Sequence, residues 1–242
     1  MLTGVTPQWI RWMFGRIARR YDVTNTVISV GLDTYWRRRL AQRVACYSAH
    51  DILDVACGTG GVMGQVARRC TEARRIVGAD FTEAMVRVGR LRLASARQPC
   101  RLHFCVADAL CLPYLSNSFD LVTMMFGVRN FADPVGGLAE CYRVLRPGGA
   151  LCLVEFAWPQ QPVLREVYSG YFRYLLPVIA WPLSGERTAY RYLRDSVLAF
   201  RRQSRLPDLL SQAGFADVST VPLSGGIAAL YEGRKTGLRR GQ

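Results

Sequence analysis

A chain of 242 residues, half of them apolar, can bury a full hydrophobic core, and its length fits one α/β domain with additions better than two independent ones. Its 32 basic against 18 acidic residues leave a net charge of +14, nearly all from arginine, since Lys235 is the sole lysine. Such a field favours an anionic partner, a nucleic acid or an acidic membrane surface, or amounts to solvated helix faces. Eight cysteines without a C-x-x-C pair, and two histidines as far apart as His50 and His103, give no zinc framework and fit thiols kept reduced in a cytoplasm.

Residues 7 to about 47 read as helical throughout, a helical cap over residues 1–47. An apolar stripe of Ile10, Met13, Phe14, Ile17 and Tyr21 comes first, and an arginine-rich helix follows from Asp33 as its N-cap. Strands are expected near 51–56, 75–79, 102–106, 119–124 and 150–156, alternating with helices near 61–70, 82–97 and 134–146; this is the pattern of βαβ units around a parallel sheet over residues 51–156. Arg146-Pro147-Gly148-Gly149 reads as a helix stop. Residues 157–213 hold an aromatic helical stretch, a polar and basic helix through Ala199, and a helix over 207–213 closed by Gly214. The apolar window Tyr174 to Ser184 is too short to span a bilayer and carries Pro177 and Pro182. Strands near 215–221 and 226–232, joined by Ser224-Gly225-Gly226, form a terminal hairpin within 214–242.

Asp54-Val-Ala-Cys-Gly58-Thr59-Gly60 closes the first strand and opens a helix on glycines. Asp80 ends the next strand about twenty residues on, where a ribose-binding acid belongs, and Asp108 follows the third. Three strand ends on one sheet edge make a nucleotide-type cofactor cleft; tight βα turns with helix-capping acids are the plainer alternative. A dinucleotide fingerprint would need a third glycine where Met63 stands, so a pyrophosphate fits poorly. S-adenosylmethionine carries no phosphate, and Gly58 to Gly60, Asp80, and Asp108 with the backbone of Ala109 can meet its amino-acid part, ribose and adenine in turn.

The chain resembles the UbiE/MenG/COQ5 family of class I methyltransferases. The likeness runs from Phe14-Gly-Arg-Ile-Ala-Arg-Arg-Tyr21-Asp22-Val-Thr-Asn25 and the glycine loop through Gly78-Ala-Asp80-Phe81, Ala107-Asp108-Ala109 and Phe126-Gly127-Val128-Arg129-Asn130 to Gly225-Gly226-Ile227. It implies a seven-stranded Rossmann-like sheet with an antiparallel last strand, cofactor contacts at Thr59, Asp80, Asp108 and Ala109, a leading catalytic role for Arg129, and Tyr21 beside the acceptor ring. The implied reaction is C-methylation of a polyprenylated quinol. The loop wording leans to demethylmenaquinol, with a polyprenyl-benzoquinol as the alternative, and an RNA methyltransferase or a non-catalytic scaffold as further readings. No metal and no nucleic-acid partner are expected; cytoplasmic placement, peripheral contact with the inner face of a membrane through the basic helices is, and homo-oligomerisation is left open. The chain departs from the family at Gly61, where an acid usually follows the loop, and at Met125, Phe200-Arg201 and Tyr231. The aromatic run from Phe156 to Trp181 reads as a lid and prenyl channel, or as core packing.

Overall fold

The computed structural model describes residues 5–94, 99–171, 173, 179, 182, 186–203 and 205–237. Seven strands, β1 (Asp51–Val55), β2 (Arg75–Asp80), β3 (Arg101–Val106), β4 (Phe119–Met125), β5 (Leu145–Phe156), β6 (Ala216–Leu223) and β7 (Ala228–Arg234), form one sheet in the order β3-β2-β1-β4-β5-β7-β6. The first five run parallel, and β7 is antiparallel to both neighbours, wedged between β5 and β6. The expected sheet with its antiparallel last strand is therefore present. The strand order turns back between β1 and β4, so the carboxyl ends of these two strands flank the crevice where open α/β sheets take their ligands.

Helices cover both faces of the sheet. On one side Ile52, Ile76, Leu121 and Val154 pack on α3 (Leu32–Val44) and α4 (Gly61–Ala67) through Trp36, Leu40 and Met63. On the other, Leu53, Val77, Val122 and Leu151 meet α6 (Pro134–Val144) and α9 (Leu206–Gln212) through Leu138, Cys141 and Leu210. Adjacent strand residues thus alternate between two buried faces, the condition under which central parallel strands read as continuous apolar runs. A third cluster joins α1 (Pro7–Ile17) to α5 (Glu83–Ala94), α7 (Pro162–Gly170) and α8 (Arg187–Gln203), with Ile10, Met13 and Ile17 against Met85, Tyr168, Tyr190 and Val197.

Two expectations need correction. The N-terminal region is not one continuous run of helix: α1 gives way to α2 (Tyr21–Ile28) and α2 to α3, with Val30 and Gly31 both at positive φ, 51° and 80°. Gly31, not Asp33, is the N-cap of α3; Asp33 is the second residue of its first turn, where its carboxylate accepts the hydroxyls of Thr26 and Ser29. Strand β5 also begins five residues early, because Leu145 pairs with Phe119 before a bulge resets the register to Leu121 opposite Ala150. Gly148, at φ 84°, carries the chain around that excursion.

The terminal strand is tied in by charge. Arg43 on α3 donates to both oxygens of Glu232 on β7, and Tyr47 donates to the same carboxylate. Just beyond β7, Lys235 donates through Nζ to the carbonyls of Tyr142 and Leu145, at 2.9 and 2.7 Å, where α6 ends and its carbonyls lack helical partners.

Candidate active site

The carboxyl end of β1 turns sharply, with Ala56, Gly58 and Gly60 all at positive φ before α4 begins. Asp80, at the end of β2, fixes that turn: its Oδ2 accepts the Gly58 N–H and its Oδ1 the Thr82 N–H, each at 2.8 Å. Burial raises its pKa, and these two N–H bonds pull it back. Asp108, following β3, accepts the Leu110 N–H at 2.9 Å, and Ala109 beside it is buried. Asp80, Asp108 and Ala109 line one cavity of about 140 Å³, which Gly58 and Asn130 also border.

A larger cavity of about 320 Å³ adjoins it, and Phe14, Tyr21, Ala56, Gly58, Met125 and Phe126 belong to the walls of both. Most of its lining comes from the cap helices α1 to α3, from α7 and α8, and from the strand ends. Arg129 stands in its wall on a short 3-10 turn, Val128–Asn130, reached through Phe126 at φ 59°. The guanidinium donates from Nη1 to Glu155 Oε1 at 2.8 Å and to the Phe126 carbonyl at 2.7 Å, and lies 5.1 Å from the Phe156 ring centroid. Arg129 Nε and Glu155 Oε2 are buried with no protein partner among the described residues.

Tyr21 opens α2 with its ring over Gly58, 4.0 Å from where a Cβ would lie, and edge-on to Phe14. Burial raises its phenol pKa, with Arg129 and then Arg37 opposing. Its neighbour Asp22 joins the cap to the cofactor loop: Oδ2 accepts Thr59 Oγ1 at 2.6 Å and Arg92 Nη1 at 2.5 Å, while Oδ1 accepts Arg37 Nη2 at 3.1 Å. The Thr59 hydroxyl is thus taken by Asp22, although the residue still lines the larger cavity. Gly60 borders neither cavity; a Cβ there would lie 2.9 Å from both Leu93 and Phe104, so this glycine serves the packing of α4 against α5 and β3. The structure brings together Tyr21, Gly58, Thr59, Asp80, Asp108, Ala109 and Arg129 around two joined cavities, and leaves Gly60 behind the wall.

Residue-by-residue reading missed the partners of these groups. Asp54, 1% exposed, lines the larger cavity and accepts Thr123 Oγ1 at 2.7 Å through Oδ1, while its buried Oδ2 has no hydrogen-bond partner among the described residues. Desolvation pushes this carboxyl up to about 7, against the Thr123 bond. Glu155, Asp22 and Arg37 were likewise unassigned, though Asp22 lies in the Phe14 to Asn25 segment that carries the family likeness. The departure at Gly61 has a counterpart: a Cβ there would fall 2.6 Å from Arg37 Nη1, so a guanidinium held by Asp22 and Asp33 fills the space an acidic side chain would enter. Met125 lines both cavities and Tyr231 is buried in the sheet core. Phe200 packs against that same core. Of the aromatic run, Tyr168 and Tyr171 line the larger cavity and Trp158 packs on Tyr168; Phe172, Tyr174 and Trp181 lie outside the described residues.

The profile of the ubiE/COQ5 methyltransferase family matches residues 2–235. The chain belongs to the ubiE/COQ5 methyltransferase family. It is 41% identical over 226 residues to the ubiquinone/menaquinone biosynthesis C-methyltransferase UbiE of Geobacter sp. strain M21, covering 93% of this chain and 96% of that one. It is 42% identical over 228 residues to the demethylmenaquinone methyltransferase of Deinococcus radiodurans, covering 94% and 93%. A SAM-dependent methyltransferase from Aquifex aeolicus shares the fold at a TM-score of 0.52 and 15% identity, over 77% of this chain and 82% of that one.

The residues of this ubiE/COQ5 member fit S-adenosylmethionine. The buried Asp54 Oδ2, which has no hydrogen-bond partner among the described residues, is an acceptor that an ammonium such as the cofactor's would satisfy, and the open face of Gly58 admits close backbone approach. Asp80 and Asp108 keep unused acceptor capacity for hydroxyls and an amino edge. Among the described residues no three His, Cys, Asp or Glu side chains gather to hold a metal ion, and no helix is long and apolar enough to cross a membrane.

Proposed function

We propose that the protein transfers the methyl group of S-adenosylmethionine to a ring carbon of a polyprenylated quinol, with demethylmenaquinol as the acceptor and a polyprenyl-benzoquinol as the second acceptor class. The observation that carries this reading is the larger cavity, a largely apolar chamber that joins the cofactor end of β1 to one buried guanidinium, Arg129. The names of the relatives in Geobacter and Deinococcus support the quinone acceptor.

The cofactor supplies an electrophilic methyl group when bound. Asp54 holds its ammonium, Gly58 and Thr59 border its amino-acid part, and Asp80, Asp108 and Ala109 receive the nucleoside. A quinol ring carbon becomes nucleophilic as negative charge moves into the ring from the neighbouring oxygen. Arg129 stabilises that oxyanion, an effect worth about two to three orders of magnitude in rate for one well-placed donor. It cannot take the proton, because a guanidinium stays charged. Tyr21, held neutral by its burial, is placed to pass the phenol proton through a hydrogen bond to water, and the ring C–H proton that the methyl replaces is lost to water afterwards, which restores the aromatic ring. Phe126 and Phe156, stacked at 4.3 Å, wall the guanidinium off from water, which strengthens its hold on charge. Residues 157–213 act as a lid, through α7, over one chain-long domain. The prenyl tail leaves between α2 and α7, and the protein works in the cytoplasm at the inner face of the membrane that holds its substrate.

The test is incubation of the purified protein with methyl-labelled S-adenosylmethionine and chemically reduced demethylmenaquinone, with a demethylated benzoquinol and bulk RNA in parallel. Label in one quinol settles reaction and branch. Label only in RNA overturns the quinol reading, and cofactor binding without label in any acceptor favours a scaffold.

A further inference from the structure

We propose that the outward faces of α2 and α7 form one docking surface for an anionic lipid bilayer, seating the mouth of the chamber on the membrane; this rests on the polyprenylated acceptor proposed above. Val23, Val27 and Val30 are 66%, 45% and 85% exposed, and their spacing puts them on one side of α2 and the turn that ends it. Thr24 and Ile28 take the buried side. On α7, Val163 and Val167 are 79% and 64% exposed, one helical turn apart, while Tyr168 turns inward. Both helices therefore carry an apolar stripe to solvent as well as one to the core.

The two stripes belong to one surface. Tyr171, directly after α7, donates its hydroxyl to the Ile28 carbonyl at the end of α2. Val30 and Val167 line the chamber and are also strongly exposed, which places them at its opening. Val23, Val27 and Val163 continue these two stripes away from the opening, so the five exposed valines make a patch, not the scatter normal for a soluble surface. The surrounding charge selects the occupant. Arg19 and Arg20 precede α2, Arg165 lies on α7 and Arg173 just past it, all exposed, against the single acid Glu166 on α7. Apolar side chains ringed by arginines match the interfacial zone of a bilayer with anionic headgroups, where the valines leave water and the guanidiniums meet phosphate. A tail leaving the chamber between Val30 and Val167 then passes directly into lipid.

The experiment is sedimentation of the full chain with vesicles of equal parts phosphatidylcholine and phosphatidylglycerol, beside vesicles of phosphatidylcholine alone. A Val23→Asp/Val163→Asp variant, altered outside the chamber wall, is compared with the parent. The parent is expected to sediment with the mixed vesicles at low salt and to be released by salt, and the variant to partition about tenfold less, from two lost apolar contacts and two added repulsive charges. Its melting temperature, cofactor binding and turnover of a short-chain quinol in solution are expected to stay at parental values. No sedimentation of the parent at low salt, or equal sedimentation of the variant, overturns the surface; so does a parental dimer in light scattering that the variant abolishes. Turnover of the short-chain quinol without vesicle binding overturns the surface alone, and vesicle binding without turnover of any quinol overturns the acceptor reading on which it rests.

Discussion

Arg129 and Glu155 meet at 2.8 Å with side chains only 6% and 1% exposed, so the guanidinium proposed to face the quinol is also half of a buried ion pair. The two roles separate by experiment. Arg129→Ala should lower kcat by about 10²–10³ and, by stranding Glu155, cost about 3–5 kcal/mol of stability. Arg129→Ala with Glu155→Gln should recover much of the melting temperature and none of the turnover. Recovery of both in the double variant would reduce Arg129 to a structural partner. Arg129→Lys, which loses the planar fork, should stay well below parental turnover; near-normal rates there would count against the catalytic role.

Asp54 makes cofactor binding pH-dependent. Its folded pKa, pushed up to about 7 by burial, exceeds that of an unfolded carboxyl, so between about 4 and 7 the folded chain keeps a proton the unfolded chain has lost. Stability of the cofactor-free protein therefore falls as pH rises through that window and levels off above it. Cofactor affinity moves the other way, because the ammonium needs the ionised carboxyl: Kd at about pH 6 should be roughly tenfold weaker than at about pH 8. Asp54→Asn should flatten both dependences, as read by calorimetric titration and thermal melts. An unchanged Kd across that range in the parent would remove Asp54 from the ammonium site.

Asp22 carries the contact between cap and cofactor loop, accepting from Thr59, Arg92 and Arg37 at once. Asp22→Asn keeps the shape and removes the charge, leaving two arginines close together. The cofactor Kd is expected to rise about tenfold, with a fall in melting temperature of about 2–4 °C for each kcal/mol lost. Parental affinity in this variant would mean the cap does not help organise the loop.

Gly78, mid-strand in β2, has no room for a side chain: a Cβ would lie 2.3 Å from Met63 Sδ and 2.8 Å from Cys57 Sγ. Gly78→Ala should cost about 1–3 kcal/mol by overpacking and displace the glycine loop through Cys57. Thermal melts and cofactor titration on one sample would show both effects falling together; a neutral variant would show that Met63 moves aside freely.

The strands were legible because central parallel strands are rich in β-branched and aliphatic residues and are ended by turn residues, as in Ile52 to Val55, broken only by Asp54, and Ile76 to Ala79, broken only by Gly78. The early start of β5 was not, since Arg146-Pro147-Gly148-Gly149 carries every mark of a loop and the pairing of Leu145 with Phe119 depends on a bulge. The break after α2 was hidden because Val30, a poor left-handed residue, takes positive φ beside Gly31. In the site, Asp80 and Asp108 showed as acids ending apolar runs. Glu155 under Arg129, Asp22 on Thr59 and Arg37 against Gly61 could not be read the same way, because each pairing joins segments 26 to 37 residues apart or fills a space that exists only once the helices pack.

Because β7 lies between β5 and β6, the sheet is joined into one only once Ala228–Arg234 has been synthesised. Until Ala228–Arg234 emerges, the β5 edge is an open row of amide and carbonyl groups, and the Glu232 carboxylate that secures α3 is missing. A nascent chain stopped before residue 228 should therefore hold every residue of its cofactor crevice beside an unfinished, adhesive sheet edge, the form a chaperone would be expected to grip.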